Sequence, residues 1–267
     1  MNPRDTSISH SPRITSFGFI LVVIAFSVVS TFATNKGSVA IRDTVSPAKR
    51  NELVSKLRSI SGLTKLSFDA DGFLRLGADS SERGSHGARE LLKNAVSGEN
   101  IVVIEDASSR ADVAFCRVVM GRWTKANSAL SAFVVLIDFS DFHQLTGDQQ
   151  ARAAFDVGWG FLHELDHVVA DSQDAETEDS LGECEAHINE MRHELGLPLR
   201  SNYFFTALSM QTDPNFGTRL VRLAFEQRDP HTDRTRRFWL IWDSTVVGGL
   251  IASKQTAAVR ATPLTRK

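Results

Sequence analysis

The sequence predicts an α+β fold: a small sheet beside an apolar helix that carries two histidines, a second, charged helix, and a C-terminal β-hairpin. Three observations lead there. Apolar positions recur at helical spacing over residues 155–170 and again through the charged segment from 182 to 195. Runs of strand length and β-branched composition at 101–105, 113–119 and 132–139 precede the first of those helices. Finally, 220–225 and 238–242 flank Asp229-Pro230-His231-Thr232-Asp233, a turn-rich segment between two apolar runs.

Taken in order, residues 14–35 carry no charge and are long enough to span a bilayer. They predict a signal peptide ending near Ala33 or a membrane anchor. Thr31 is a poor −3 residue for cleavage, which favours the anchor, and an apolar N-terminal segment ahead of a globular domain points to export or membrane attachment. Counted literally, the flanking Arg and Lys residues would instead place the main domain on the cytoplasmic side. The remaining chain divides into a domain over 36–252 and a tail over 253–267 expected to lack structure. A helix is expected over 46–60, with Pro47 in its first turn and Gly62 just past its end. Two short strands, 64–68 and 73–76, turn about Asp69-Ala70-Asp71-Gly72. A Ser/Gly-rich loop then leads into a helix over 88–96.

The helix over 155–170 contains His163-Glu164-Leu165-Asp166-His167, an HExxH pattern. Residues four apart share a helix face, so both imidazoles can reach one zinc ion while Glu164 stands beside its open position. Trp159, Phe161, Leu162, Val168 and Val169 already supply the apolar positions of this helix. Two His, a Glu and an Asp in the same stretch would therefore be buried at a cost that a metal offsets. One zinc per chain is expected.

The following helix, bounded by Gly196 and Pro198, places Glu185, Asn189 and Arg192 on one face by i, i+4, i+7 spacing. From His163 to Glu185 the chain resembles the gluzincin-type HExxH metallopeptidases, and the fold it implies is zincin-like. That resemblance implies a Glu on the second helix as third ligand. The facing argument selects Glu185, with Asn189 supporting a ligand His; Glu183 and Cys184 are the alternatives. A metzincin would need Gly at 170 and His at 173, where this chain has Ala170 and Gln173. The run Asn189-x-x-Arg192-x-Glu194-Leu195-Gly196-Leu197-Pro198-x-Arg200-x-x-Tyr203 is similar to the tail of effector-type bacterial zinc proteases and related toxin domains. The two stretches together cover roughly forty residues. The resemblance also implies a sheet edge along the metal helix, where an extended peptide adds as a strand; 132–139 is the candidate, although its apolar run equally describes a central strand.

The expected activity is peptide-bond hydrolysis, with zinc on His163, His167 and Glu185 activating a water and Glu164 as general base. Tyr203, His187 and His193 are candidate oxyanion donors. Two other readings use the same residues: a non-catalytic module in which zinc staples two helices, and a toxin-like effector protease. A net charge of −2 and the lack of a basic stripe interleaved with aromatics give no reason to expect nucleic acid, so the partners expected are a peptide or protein substrate and a membrane. The acidic segment 171–179 lacks the Gly of an EF-hand loop and reads as a solvated connection. Cys116 and Cys184 are the only cysteines, which allows one disulfide or two free thiols.

Overall fold

The computed structural model describes residues 38–78, 83–108, 110–121, 131–208 and 219–248. The N-terminal apolar segment and the C-terminal tail lie outside them, and among the described residues no helix is long and apolar enough to cross a membrane.

Strand β1 (Ser38–Ile41) is followed by α1 (Pro47–Ser61), β2 (Ser67–Phe68), β3 (Leu74–Arg75), α2 (His86–Ser97), β4 (Ile101–Asp106), β5 (Cys116–Met120) and β6 (Ala132–Ile137). Then come α3 (Phe139–His143), β7 (Thr146–Gly147), α4 (Gln149–Ala153), α5 (Val157–Ala170), α6 (Glu183–Glu194), β8 (Leu199–Arg200), β9 (Thr206–Ala207), β10 (Leu220–Arg228) and β11 (Thr235–Asp243). The chain is thus mixed α+β. Local chemistry explains the boundaries. Ser46 caps α1, whose first residue is Pro47, and Gly62 ends it at φ 76°. Asp69 accepts the N–H groups of Asp71 and Phe73, which tightens the β2–β3 turn at Gly72.

The main sheet has the order β1-β4-β6-β5, with β1, β4 and β6 parallel and β5 antiparallel to β6. Segment 132–139 therefore supplies a central strand, β6, and the edge is β5. Both faces of β6 are packed, Val135 and Ile137 in the main core and Leu136 in a smaller cluster with Ala107 and Val113, which is why its apolar run is nearly continuous. The second sheet is the expected hairpin, longer than the sequence suggested because its polar outer ends pair as well, from Leu220↔Asp243 to Arg228↔Thr235. Its inner face sets Val221 against Trp242, Leu223 against Leu240 and Phe225 against Phe238, all buried. Strands β8 and β9 add to β10, and β7 to β11.

Helix α5 lies at the centre of these parts, with Trp159, Phe161, Leu162 and Leu165 no more than 1% exposed. It approaches β5 closely because residue 160 is Gly: a Cβ there would sit 2.7 Å from the Phe142 ring and 2.9 Å from Cys116 Sγ. In an exposed helix Gly→Ala gains about 1 kcal/mol. Here Phe142 is buried and packed against Phe115 and Phe155, so it cannot give way, and overpacking costs about 1–3 kcal/mol. Gly160→Ala is expected to lower the urea midpoint with an unchanged m-value, opposite to the propensity effect.

Candidate metal centre

Asp156 caps α5 by accepting the N–H groups of Gly158 and Trp159, and the helix then presents His163 and His167 on one face, their ring centroids 4.9 Å apart. The Nε2 atoms of both point at one oxygen: Asp174 Oδ1 lies 3.0 Å from His163 Nε2 and 3.3 Å from His167 Nε2. Asp174 reaches them because the acidic loop folds back in a bridge to Gly182. Gly182, at φ 76°, allows this approach; a Cβ there would be 2.4 Å from the Ala175 nitrogen. Cys184, in the first turn of α6, is fully buried and donates its thiol to the His163 carbonyl at 3.2 Å. One ligand atom from each of His163, His167, Asp174 and Cys184 falls within 4.8 Å of the other three.

The remaining ring nitrogens are held from behind. His167 Nδ1 is 2.8 Å from the Ser172 carbonyl, and Ser172 Oγ donates to Asp166 at 2.6 Å. His163 Nδ1 faces Glu185 Oε2 at 3.4 Å. Glu185 thus differs from the sequence expectation: it stands behind His163 and outside the four-atom cluster. Its carboxylate is taken by two guanidinium groups, Arg192 Nη1 on Oε1 and Arg200 Nη1 on Oε2 at 2.7 Å. The face shared by Glu185, Asn189 and Arg192 exists, but Asn189 supports no histidine. Its Oδ1 accepts Arg192 Nη1 at 2.8 Å and the Arg200 N–H at 2.9 Å, and its Nδ2 donates to the Arg200 carbonyl at 2.9 Å.

The other candidates are spread out. Glu183 is exposed at the start of α6. His187 pairs with buried Asp166 at 2.9 Å, and His193 is exposed. Tyr203 is at the site: its ring lies 6.3 Å from that of His163, and burial together with the nearby Asp174 charge raises the pKa of its phenol. Cys116 and Cys184 are both free thiols. Asp174 was hidden in a run of acidic residues whose composition describes a solvated loop. Only the fold-back at Gly182 distinguishes it, and that is a tertiary fact.

The carboxylates beside the histidines sit in opposite environments. Burial pushes Glu164 above the ordinary carboxylate range, against the pull of His163, His167 and the Val118 N–H, which donates to Glu164 Oε2 at 2.7 Å. Burial acts on Glu185 in the same sense, but Arg200 and Arg192 override it and hold Glu185 well below that range. Partial desolvation acts on Asp174 in the same sense, but the two imidazoles hold it low. His167 is drawn down by burial, yet its bonds to Asp174 and Cys184 raise it to about 11. A cavity of about 140 Å³ opens beside these groups, lined among others by His163, Glu164, Cys116 and Tyr203. The chain matches no known family model, no curated protein and no solved structure.

Two outcomes follow from this geometry. Arg192 is 2% exposed and is also bonded to the Ala154 carbonyl at 2.8 Å. Removing one partner of a buried pair typically costs about 3–5 kcal/mol, so Arg192→Met is expected to lose stability on that scale in chemical denaturation. Asp141 accepts the N–H groups of Phe115 and Gly248 at 2.9 and 3.2 Å, and burial raises it from 3.8 to about 6. The native state therefore holds this proton more tightly than the unfolded chain, and the stability it lends is full at low pH and lost as pH rises from about 4 to about 6. Asn keeps an oxygen for both N–H groups without the charge. The unfolding free energy of Asp141→Asn relative to wild type is expected to rise by roughly 2 kcal/mol between pH 4 and pH 7.

Proposed function

We propose that this protein is a zinc-dependent peptidase of zincin-like architecture, with zinc held by His163, His167, Cys184 and Asp174. The supporting observation is the convergence of both Nε2 atoms on one point while Glu164 stays buried, outside the donor set, in the adjoining cavity. The donors suit zinc. Two imidazoles, a thiolate and a carboxylate are its usual ligands, and tetrahedral arms of about 2.0–2.3 Å require donor separations of roughly 3.3–3.8 Å, close to the 3.0 and 3.3 Å between Asp174 and the histidines. The oxygen acceptors behind each imidazole fit the same reading, because ligand histidines typically donate their second N–H to such a group. Glu185 then orients His163 and does not ligate.

Bound there, zinc would supply a Lewis acid that polarises a carbonyl and makes water acidic. Glu164, its pKa raised by burial, would take a proton from water in the cavity and return it to the leaving amine. The Val118 N–H fixes which carboxylate oxygen does so. Tyr203, its phenol kept protonated by burial, would donate to the developing oxyanion. The edge strand β5 would align the substrate. Phe115 and Gly121 direct backbone bonds to the β6 side, so the alternate residues Cys116, Val118 and Met120 turn theirs outward beside Glu164. An extended peptide could add there as a strand. The apolar segment 14–35 would hold such a domain at a membrane or direct its export.

A second reading has its own observation: four protein donors fill a tetrahedron, as in structural zinc sites. The peptidase reading requires one to yield, and Asp174 is the candidate, its side chain 45% exposed on a loop whereas Cys184 is fully buried in a helix. One set of variants separates the two. His163→Ala, His167→Ala and Cys184→Ser are expected to lose stoichiometric zinc in emission analysis, whereas Glu164→Gln keeps it. Against a diverse peptide library, Glu164→Gln is expected to lose about 10²- to 10⁴-fold in turnover. Zinc lost in the three ligand variants with no cleavage by wild type would leave only the scaffold, and zinc retained by all would refute the site itself.

A further inference from the structure

A second cavity, of about 190 Å³, continues from the one beside the histidines; the two share Ala114, Phe115, Phe155, Arg200 and Tyr203 as a common wall. We infer that this cavity takes a single aromatic ring, and that the protein selects polypeptides carrying Phe or Tyr beside the bond presented to Glu164.

Three features set that guest. The first is size: an apolar cavity of roughly 150 Å³ is known to hold benzene, so 190 Å³ admits one ring with its methylene. The second is the wall. Phe115 meets Phe155 and Trp242 edge-on at 5.2 and 5.5 Å, Phe205 lies 5.4 Å from Trp242, and Leu223 and Val247 complete an apolar lining. Rings prefer such edge-on and offset partners. The third is charge. Among the described residues Arg200 is the one ionised side chain in the lining, and each of its nitrogens already donates: Nη1 to Glu185, Nε to the Asn202 carbonyl, Nη2 to the Tyr203 carbonyl. An ammonium guest would be desolvated beside a cation and without an acceptor for its charge. Arg200 offers the flat guanidinium face, 4.7 Å from the Tyr203 ring centroid and 5.9 Å from that of Phe155.

The wall is also fixed in place. Phe115 adopts φ 60°, in the left-handed region that disfavours a bulky side chain, and Asp141 holds it there through the Phe115 N–H. The same carboxylate oxygen holds Gly248 on the opposite lining. Because Phe115 immediately precedes β5, the pocket opens beside the start of the strand edge.

The selection of cleaved bonds rests on the peptidase reading; the binding of the ring does not, which keeps the two separable. The test is titration of the full-length Glu164→Gln chain with N-acetyl-phenylalaninamide, N-acetyl-alaninamide and N-acetyl-lysinamide, followed by calorimetry and by nuclear Overhauser contacts to the Trp242 indole. The phenylalanine amide is expected to bind at least tenfold more tightly than the other two, to show contacts to Trp242, and to be displaced in Ala114→Phe, whose new side chain fills the shared wall. Equal affinity for the three amides, or phenylalaninamide binding without contact to Trp242, would overturn the inference even if Ala114→Phe fails to fold. Selective binding in a protein whose wild type cleaves no peptide would keep the pocket and remove the peptidase reading.

Discussion

Glu185 is the charge on which the rest of this structure depends. It is 1% exposed, and an isolated carboxylate so placed would be protonated or would unfold its surroundings. Arg192 from its own helix and Arg200 from β8 keep it ionised. Each arginine is committed elsewhere as well. Arg192 reaches the Ala154 carbonyl ahead of α5 and stacks near Trp159 and Phe225, while Arg200 pairs in β8 opposite Phe225 and holds the Tyr203 carbonyl. One buried anion therefore ties α5, α6, the segment carrying Tyr203 and the C-terminal hairpin together. Ion pairs of this kind are weak sources of net stability, because desolvation offsets their attraction. Their value here is register: His163 meets an oxygen at Nδ1 only if α6 sits where the two arginines place it.

That arrangement leaves two carboxylates near the same imidazoles with opposite properties. Glu185 is surrounded by cations and is fixed as an anion, suited to orienting a histidine. Glu164 has only a backbone N–H and the imidazoles to set against burial, which raises it above its ordinary value. On the peptidase reading, environments that push two acids apart in this way would let one site separate orientation from proton transfer. The edge strand completes the division, since the same strand that fixes Glu164 turns its outward backbone groups along the cavity.

Much of the fold was legible because local chemistry and burial agree. The HExxH helix, the capped α1, the turn at Asp69–Gly72 and the hairpin each carry their own punctuation. Strand β1 was not foreseen; its four residues follow a long apolar segment, and only pairing with β4 defines them. Choosing the sheet edge required knowing that β5 reverses direction, which no short-range pattern in 113–139 encodes. In the site, His163, Glu164, His167 and the face of α6 could be read from helical spacing. What Glu185 touches could not, because Arg200 approaches it from outside the helix, and neither could the return of Asp174 from an acidic loop. Cys184 was weighed as a zinc ligand on its chemistry alone, and the structure puts its thiol beside both imidazoles.

The most direct test of the zinc assignment is X-ray absorption at the zinc edge of the purified, zinc-loaded protein, which counts sulfur neighbours without reference to activity. The donor set proposed here requires one sulfur at about 2.3 Å together with nitrogen and oxygen neighbours at about 2.0–2.2 Å, and loss of the sulfur shell in Cys184→Ser. A shell of nitrogen and oxygen alone in the wild-type protein would contradict it and would return the third ligand to a carboxylate on α6.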